Sequence, residues 1–410
     1  MVVRKGYKQT EIGEIPEDWT LKKIHEFTDV TSGGTPKTVV QEYWDGEIKW
    51  MNSGELNLKK IFDVSGRITE LGVKNSSTKI IPKNCVLVGL AGQGKTRGTV
   101  AINYVELCIN QSICAIYPNQ SFDPEYLYFI LDSRYKELRE LSYGGEGRGS
   151  LNLSLIRNIL VPFPPSTDEQ SRIKQTLLNF DKIIESHEKF IDKKKNIKQG
   201  TMQELLTGKR RLGRFSGEWG IKKLGKISQM SSGGTPLTTE KSFYGGNIPW
   251  AIITDITKSG KYINSTEKTI TERGLENSSA KKFNVGTLLF AMYASLGKCC
   301  ITKIELACNQ AILGIETISI DTEFLYYYLS FYEKTFSQKS QRGTQQNLNK
   351  KIVQDLDILY PFCKEEQRAI VEILSNMDCE IEALEKQRDK YINLKQGMMQ
   401  KLLTGEIRLV

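Results

Sequence analysis

The sequence predicts an α+β protein written twice: two similar mixed globules, each followed by one long helix, with the two helices pairing as an antiparallel coiled coil about an approximate two-fold axis. Three observations predict this. A long segment returns about 200 residues later, short β-branched runs fill the first three quarters of each copy, and the last quarter of each copy switches to a heptad period.

The repeat comes first. Residues 198–212, KQGTMQELLTGKRRL, return at 395–409 as KQGMMQKLLTGEIRL, with 11 of 15 positions identical at an offset of 197. S-G-G-T-P recurs at 32–36 and 232–236, ITELGVKNSS at 68–77 matches ITERGLENSS at 270–279, Asn110-Gln111 matches Asn309-Gln310, and Glu169-Gln170 matches Glu366-Gln367. The offset drifts between 197 and 202, as small loop insertions in two copies of one unit produce. The segments expected are a globule over 1–165, a helix over 166–207, a second globule over 208–362 and a second helix over 363–410.

Within each globule, Cys85-Val-Leu-Val and Thr99-Val-Ala-Ile, like Thr287-Leu-Leu-Phe and Cys300-Ile-Thr-Lys-Ile, read as short strands between Gly, Asn and Ser clusters. A helix over Pro124–Leu141, and one over about Thr322–Ser337, closes each globule. Beyond it, a proline-rich stop and a helix-start signal precede Ile173, Leu177, Phe180, Ile184, His187 and Ile191, at spacings of four and three. The second copy keeps the register with Ile370, Leu374, Met377, Ile381, Leu384 and Arg388. A helix from about Asp168 to Leu206 measures roughly 55–60 Å at about 1.5 Å per residue, too long for one globule and suited to pairing with its copy. His187, matched by Leu384 in the repeat, reads as a tolerated polar residue of that seam.

Composition narrows the function. Hydrophobic residues at 39% and charged residues at 26% support real cores, and no run of about 18 apolar residues is present, so a soluble, cytoplasmic protein without a membrane partner is expected. The formal net charge of +9 favours nucleic acid as a partner. Eight cysteines without a C-x-x-C pair, beside only His25 and His187, read as buried reduced thiols rather than a metal site or a disulfide framework.

One stretch points elsewhere. Gly89-Leu-Ala-Gly-Gln-Gly-Lys95-Thr96 satisfies G-x-x-x-x-G-K-[ST], the phosphate-cradling loop, and alone implies a nucleotide-dependent hydrolase. That mechanism needs a helix N-terminus directly after Lys95-Thr96, whereas Arg97-Gly-Thr-Val-Ala-Ile reads as a strand. The copy keeps Gly297-Lys298 without the loop spacing. The stretch therefore reads as a glycine-rich turn that brings Lys95 and Arg97 towards a DNA strand. Other catalytic signatures, such as H-E-x-x-H and G-x-S-x-G, do not occur, and Asp378 and Glu380 read as a solvated helix face or members of an intrahelical ion pair. Polar loops at 144–152 and 342–349, with Arg148, Arg342, Gln345 and Gln346, carry side chains of the kind that pair with guanine or adenine edges. Lys193-Lys-Lys and Lys209-Arg-Arg211 through Arg214 read as phosphate attraction or solvated helix surface.

With these features on the page, the chain resembles, over essentially its full length, the specificity subunit of type I restriction–modification systems. The resemblance rests on the opening Tyr7 to Trp19, the paired S-G-G-T-P segments, the P-x-x-x-x-E-Q helix starts at Pro164 and Pro361, and the paired Leu-Leu-Thr-Gly helix ends. It implies a non-catalytic DNA reader with two target-recognition domains and two spacer helices. Two modification subunits would carry S-adenosylmethionine and methylate adenine, and two restriction subunits would use ATP and Mg, this subunit holding no cofactor. Each domain would read one half of a split, asymmetric duplex target. The spacer helices would fix the number of unread base pairs between halves lying about one turn (~34–36 Å) apart.

The residues put forward for DNA contact are Ser32, Gly33, Gly34, Thr35 and Lys37, then Gln93, Lys95, Arg97 and Arg148 in the first copy. In the second they are Ser232, Gly233, Gly234 and Thr235, then Tyr293, Lys298, Arg342, Gln345 and Gln346. Those put forward for helix pairing are Ile173, Leu177, Phe180 and Ile184 with Ile370, Leu374, Met377, Ile381 and Leu384.

Overall fold

The structure is a computed structural model that describes residues 3–92, 94–142, 150–336 and 348–409 with side chains, and the backbone of 337–341. The chain forms two compact units, one of Met1–His187 with Gln387–Val410, the other of Glu188–Lys386. These do not coincide with the four sequence segments. Each unit takes one globule, the first half of the long helix that follows it, and the second half of the other long helix.

In the first unit, a five-stranded sheet runs in the order Val30–Ser32, Ile113–Ile116, Val86–Gly89, Val100–Asn103, Lys60–Ile61. Its three central strands are buried at every residue, so their apolar runs need no polar face. Alternation still sorts them. Val86, Val88, Val100 and Ile102 join the cluster under the helix Pro124–Ser133, while Leu87 and Ala101 join the opposite cluster with Met51, Leu56 and Ile109. A four-stranded sheet of Gly66–Ile68, Trp44–Met51, Leu107–Ile109 and Ile80–Ile81 completes the globule.

The second unit repeats the plan. Its five-stranded order is Ser228–Ser232, Ile312–Thr317, Leu288–Ala291, Cys299–Thr302, Tyr262–Ile263, with Lys268–Ile270, Tyr244–Ala251, Leu306–Cys308 and Lys282–Phe283 beside it. The closing helices differ. Thr322–Gln341 is continuous, but the first copy breaks at Arg134 into Pro124–Ser133 and Tyr135–Leu141. Arg134 leaves helical geometry at φ −99°, ψ 22°, and its guanidinium donates to the Leu160 carbonyl and Glu137.

The long helices span Thr167–Leu206 and Lys364–Leu403. Acidic residues in their first turns suit the helix dipole. Both end on a glycine in the left-handed region, Gly208 at φ +68° and Gly405 at φ +71°. A Cβ on Gly208 would lie 3.3 Å from the Trp219 ring, and one on Gly405 would lie 2.5 Å from Pro16 Cδ.

The helix halves run antiparallel within each unit. In the first, Asp181 pairs with Lys395 at 2.5 Å and the His187 ring lies 5.2 Å from that of Tyr391. In the second, Lys194 pairs with Glu380 at 2.7 Å and Lys198 pairs with Asp378. The leading seam residues meet more than the other helix. Ile173 and Leu177 are fully buried in the first core with Leu402, Leu403, Met398 and Met399, and Ile370 and Leu374 in the second core with Met202, Leu205 and Leu206. Thus the apolar residues of each helix start pack on a globule and on the end of the other helix, as an antiparallel pairing requires. Ile381 is buried, whereas Phe180, Ile184, Met377 and Leu384 are only half-buried.

Candidate nucleic-acid interface

Strand register gathers the repeated motifs at one end of each five-stranded sheet. Cys114 pairs with Ser32, Ile113 with Gly89, and Val100 with Val88, so the turns after Ser32, before Ile113 and between Gly89 and Val100 leave the same edge. The second unit matches it, with Ser232 opposite Leu313, Ala291 opposite Ile312, and Cys299 opposite Phe290. Main-chain bonds tie the turns together, from Leu90 N to Ser112 O (2.8 Å) and from Met292 N to Ala311 O (2.9 Å). The segments that re-enter after residues 149 and 347 join the same place, Leu151 N donating to Leu90 O and Leu348 N to Met292 O.

Gly33 and Gly34, put forward for DNA contact, are buried, as are Gly233 and Gly234. A Cβ on Gly33 would lie 1.7 Å from Ile109 O, and one on Gly34 would lie 2.1 Å from Ser77 Oγ. Gly233 and Gly234 face Cys308 O at 2.1 Å and the Ala280 N at 2.4 Å in the same way. These glycines exist because the S-G-G-T-P backbone presses against the Asn-Gln and N-S-S motifs, which explains why all three recur together. Trp50 Nε1 and Trp250 Nε1 donate to the carbonyls of Gly34 and Gly234 at 3.0 and 3.1 Å, fixing the turns from the neighbouring sheet.

What the motif does present outwards is a side-chain pair. Thr35 Oγ1 donates to Gln111 Oε1 at 2.6 Å, and Thr235 donates to Gln310 in the same manner. Asn110 and Asn309 shape the turns below by accepting from Ser112 N (3.1 Å) and Ala311 N (3.2 Å). Gln111 and Gln310 are exposed and were not among the sequence candidates, although their recurrence as Asn-Gln was the signal that marks them. Ser32, Thr35, Ser232 and Thr235 are half-buried at this edge, and Lys37 is exposed beyond it.

The glycine-lysine turn is a connection between two strands, Val86–Gly89 and Val100–Asn103, with no helix after Lys95-Thr96. Its backbone cannot cradle a phosphate at a helix N-terminus, and the hydrolase reading finds no support. Instead its carbonyls are occupied, Gly94 O accepting from Arg139 Nη1 at 2.7 Å and Lys95 O from Tyr135 OH at 3.1 Å. Lys95 is exposed, but Arg97 is only 8% exposed and does not face outwards as expected. The structure also revises the pairing of copies. Gly89 N donates to Thr99 O as Ala291 N does to Lys298 O, and Gly98 N to Gly89 O as Gly297 N does to Ala291 O. Lys298 therefore corresponds to Thr99, not Lys95, and lies 3.8 Å from Glu333. Ten residues separate the two strands in the first unit and seven in the second, which carries an exposed Tyr293 there.

Several cations of the basic runs form ion pairs. Lys194 and Lys195 pair with Glu380 and Glu385, Arg210 with Glu204, and Arg211 with Glu366, so these cations brace helices rather than wait for phosphate. Asp378 and Glu380 are the helix partners in that bracing, not a plain solvated face. Gln93, Arg148, Arg342, Gln345 and Gln346 lie outside the described residues.

All eight cysteines are free, and burial pushes the Cys85 thiol up to about 12, so it stays protonated and inert. Among the described residues no cluster of three or more His, Cys, Asp or Glu side chains could hold a metal, and no helix is long and apolar enough to cross a membrane.

Two copies of one head, each with its repeated turns at a sheet end and each built onto antiparallel halves of long helices, define a duplicated, two-headed binding protein. Comparison places it further. The sequence profile of the type I restriction modification DNA specificity domain matches residues 16–196 and again 216–394. The chain belongs to this family. It is 28% identical over 436 residues to the type I restriction enzyme MjaIX specificity subunit of Methanocaldococcus jannaschii, covering 98% of this chain and 96% of the relative. The EcoR124I/EcoR124II specificity subunit of Escherichia coli is 28% identical over 178 residues, 42% of this chain and 43% of that one. Among solved structures, one describing complex assembly and conformational transition of the type I R-M system superposes with a TM-score of 0.65 at 18% identity, covering 96% of this chain and 99% of the other. The S subunit from M. genitalium gives 0.57 at 18% identity over 98% of both chains, a likeness of fold.

Proposed function

We propose that this chain is the non-catalytic specificity subunit of a type I restriction–modification complex, in which each unit reads one half of a bipartite, asymmetric duplex target. One observation carries the reading: both units bring the same three turns to one sheet end, yet the turn between the central strands differs in length and residues. A shared frame with unlike reading loops is what recognition of two different half-sites requires. The net charge of +9 suits a polyanionic partner.

The long helices, in this reading, set the number of unread base pairs and dock two modification subunits, which two restriction subunits join. S-adenosylmethionine, ATP and Mg belong to those partners, and the complex works in the cytoplasm. The segments 1–165 and 208–362 act as recognition domains, and 166–207 with 363–410 as spacers. A footprint of the chain assembled with its modification subunits tests this. Two protected patches flanking an unprotected gap are expected, and a single continuous patch contradicts it.

A further inference from the structure

Among the described residues, the Thr–Gln pair is an outward-facing feature that the two heads share at the end of the five-stranded sheet. Thr35 and Gln111, like Thr235 and Gln310, come from turns at the same sheet end and are joined by the same hydrogen bond. The bond leaves the Gln111 and Gln310 amide N–H groups as outward donors, since the Thr hydroxyl occupies the amide oxygen. A lysine follows the N-S-S segment in both heads. Lys79 and Lys281, each two residues after the N-S-S segment that packs against the second glycine, are exposed, and Lys79 Nζ donates to Thr31 Oγ1 at 3.2 Å beneath the turn.

A residue pair identical in two heads that read different sequences cannot carry the difference between them. It serves what both half-sites have in common, and the chemistry common to every half-site is the sugar–phosphate backbone. Amide and hydroxyl donors are ordinary phosphate ligands, and a donor fixed by a neighbouring side chain loses little conformational freedom on binding.

Resting on the specificity-subunit reading, we infer that Gln111 and Gln310, each fixed by its threonine, donate to a backbone phosphate and set the register of each head on duplex DNA. Base reading is left to the turns that differ.

The test uses the full chain assembled with its modification subunits, target duplex, and duplexes altered in one half-site. Gln111→Ala is expected to lose about tenfold in affinity on matched and altered duplexes alike, without changing the modified sequence. Gln111→Glu loses more, because a carboxylate repels the phosphate. Gln111→Lys restores binding and steepens the salt dependence by about one ion, which a merely structural role does not produce. Affinity within about twofold for Ala and Glu, or a loss confined to one base pair, overturns the inference. Wild-type complex that fails to discriminate the duplexes overturns the specificity reading itself, and the inference with it.

Discussion

Arg408 forks onto Glu169, its Nε and Nη2 donating at 2.7 and 2.9 Å, and Arg211 forks onto Glu366 at 2.6 and 2.8 Å. Glu169 is 3% exposed and Glu366 is fully buried, so each arginine neutralises a carboxylate that water does not reach. Each clamp ties the start of one long helix to the segment just after the other. Two repeated motifs, Glu-Gln at the helix starts and the arginine beyond Leu-Leu-Thr-Gly, are thereby one device used twice.

Removing either arginine strands a buried charge. Arg408→Ala or Arg211→Ala should cost about 2–4 kcal/mol of unfolding free energy. Urea midpoints report it, with an unchanged midpoint speaking against the clamp. Glu366→Gln, which removes the charge but keeps hydrogen-bonding atoms, should cost less than Arg211→Ala.

The packed glycines separate folding from DNA contact. Gly34→Ala and Gly234→Ala force a Cβ to within 2.4 Å of neighbouring atoms and should destabilise by about 2 kcal/mol or more. Gly200→Ala, on a helix face with nothing within 4 Å, should stabilise by about 0.5–1 kcal/mol. Thermal melts of all three decide whether S-G-G-T-P is a packing motif.

Helix-start leucines belong to their own heads. Leu177→Ala and Leu374→Ala each empty a fully buried site and should cost about 2–5 kcal/mol. Hydrogen exchange should show each loss confined to its own unit. Equal loosening of both units by either substitution argues that the seam residues pack on each other after all.

Acid should weaken the second unit through Glu323. Partial burial pushes its carboxyl up, but hydrogen bonds from Lys261 (2.7 Å) and Tyr262 (2.5 Å) outweigh this and hold it below its ordinary value of 4.5. A folded-state value below the unfolded one gives stability that is complete above the ordinary value and disappears as pH falls through the folded one. The stability lost between pH 7 and acid should therefore be smaller in Glu323→Gln than in the wild type, as urea unfolding at both pH values measures.

Much of this architecture was legible because it was written twice. The 11-of-15 match at residues 198–212 and 395–409 announced the duplication, and buried strands such as Val86–Gly89 showed as apolar runs. Heptad spacing found the long helices and their antiparallel pairing, but not which residues of the globules and helix ends each seam residue meets. Period shows which face of a helix is apolar, not that Leu177 also enters the core of the first globule with Leu402. Composition likewise marked Arg97, Arg211 and the S-G-G-T-P glycines as available for DNA, when tertiary packing had enclosed them or given them partners. Gln111 went unnoticed because only the fold brings it to Thr35, 76 residues away in sequence.

In the proposed function, two unlike heads of one chain specify one split target. Sequencing of modified bases in cells carrying the chain and its modification partner, with the first head native or replaced by that of a relative, tests it most directly. One motif of two different half-sites at a fixed separation is expected, of which head replacement alters a single half. A continuous motif, or replacement that alters both halves or neither, contradicts it.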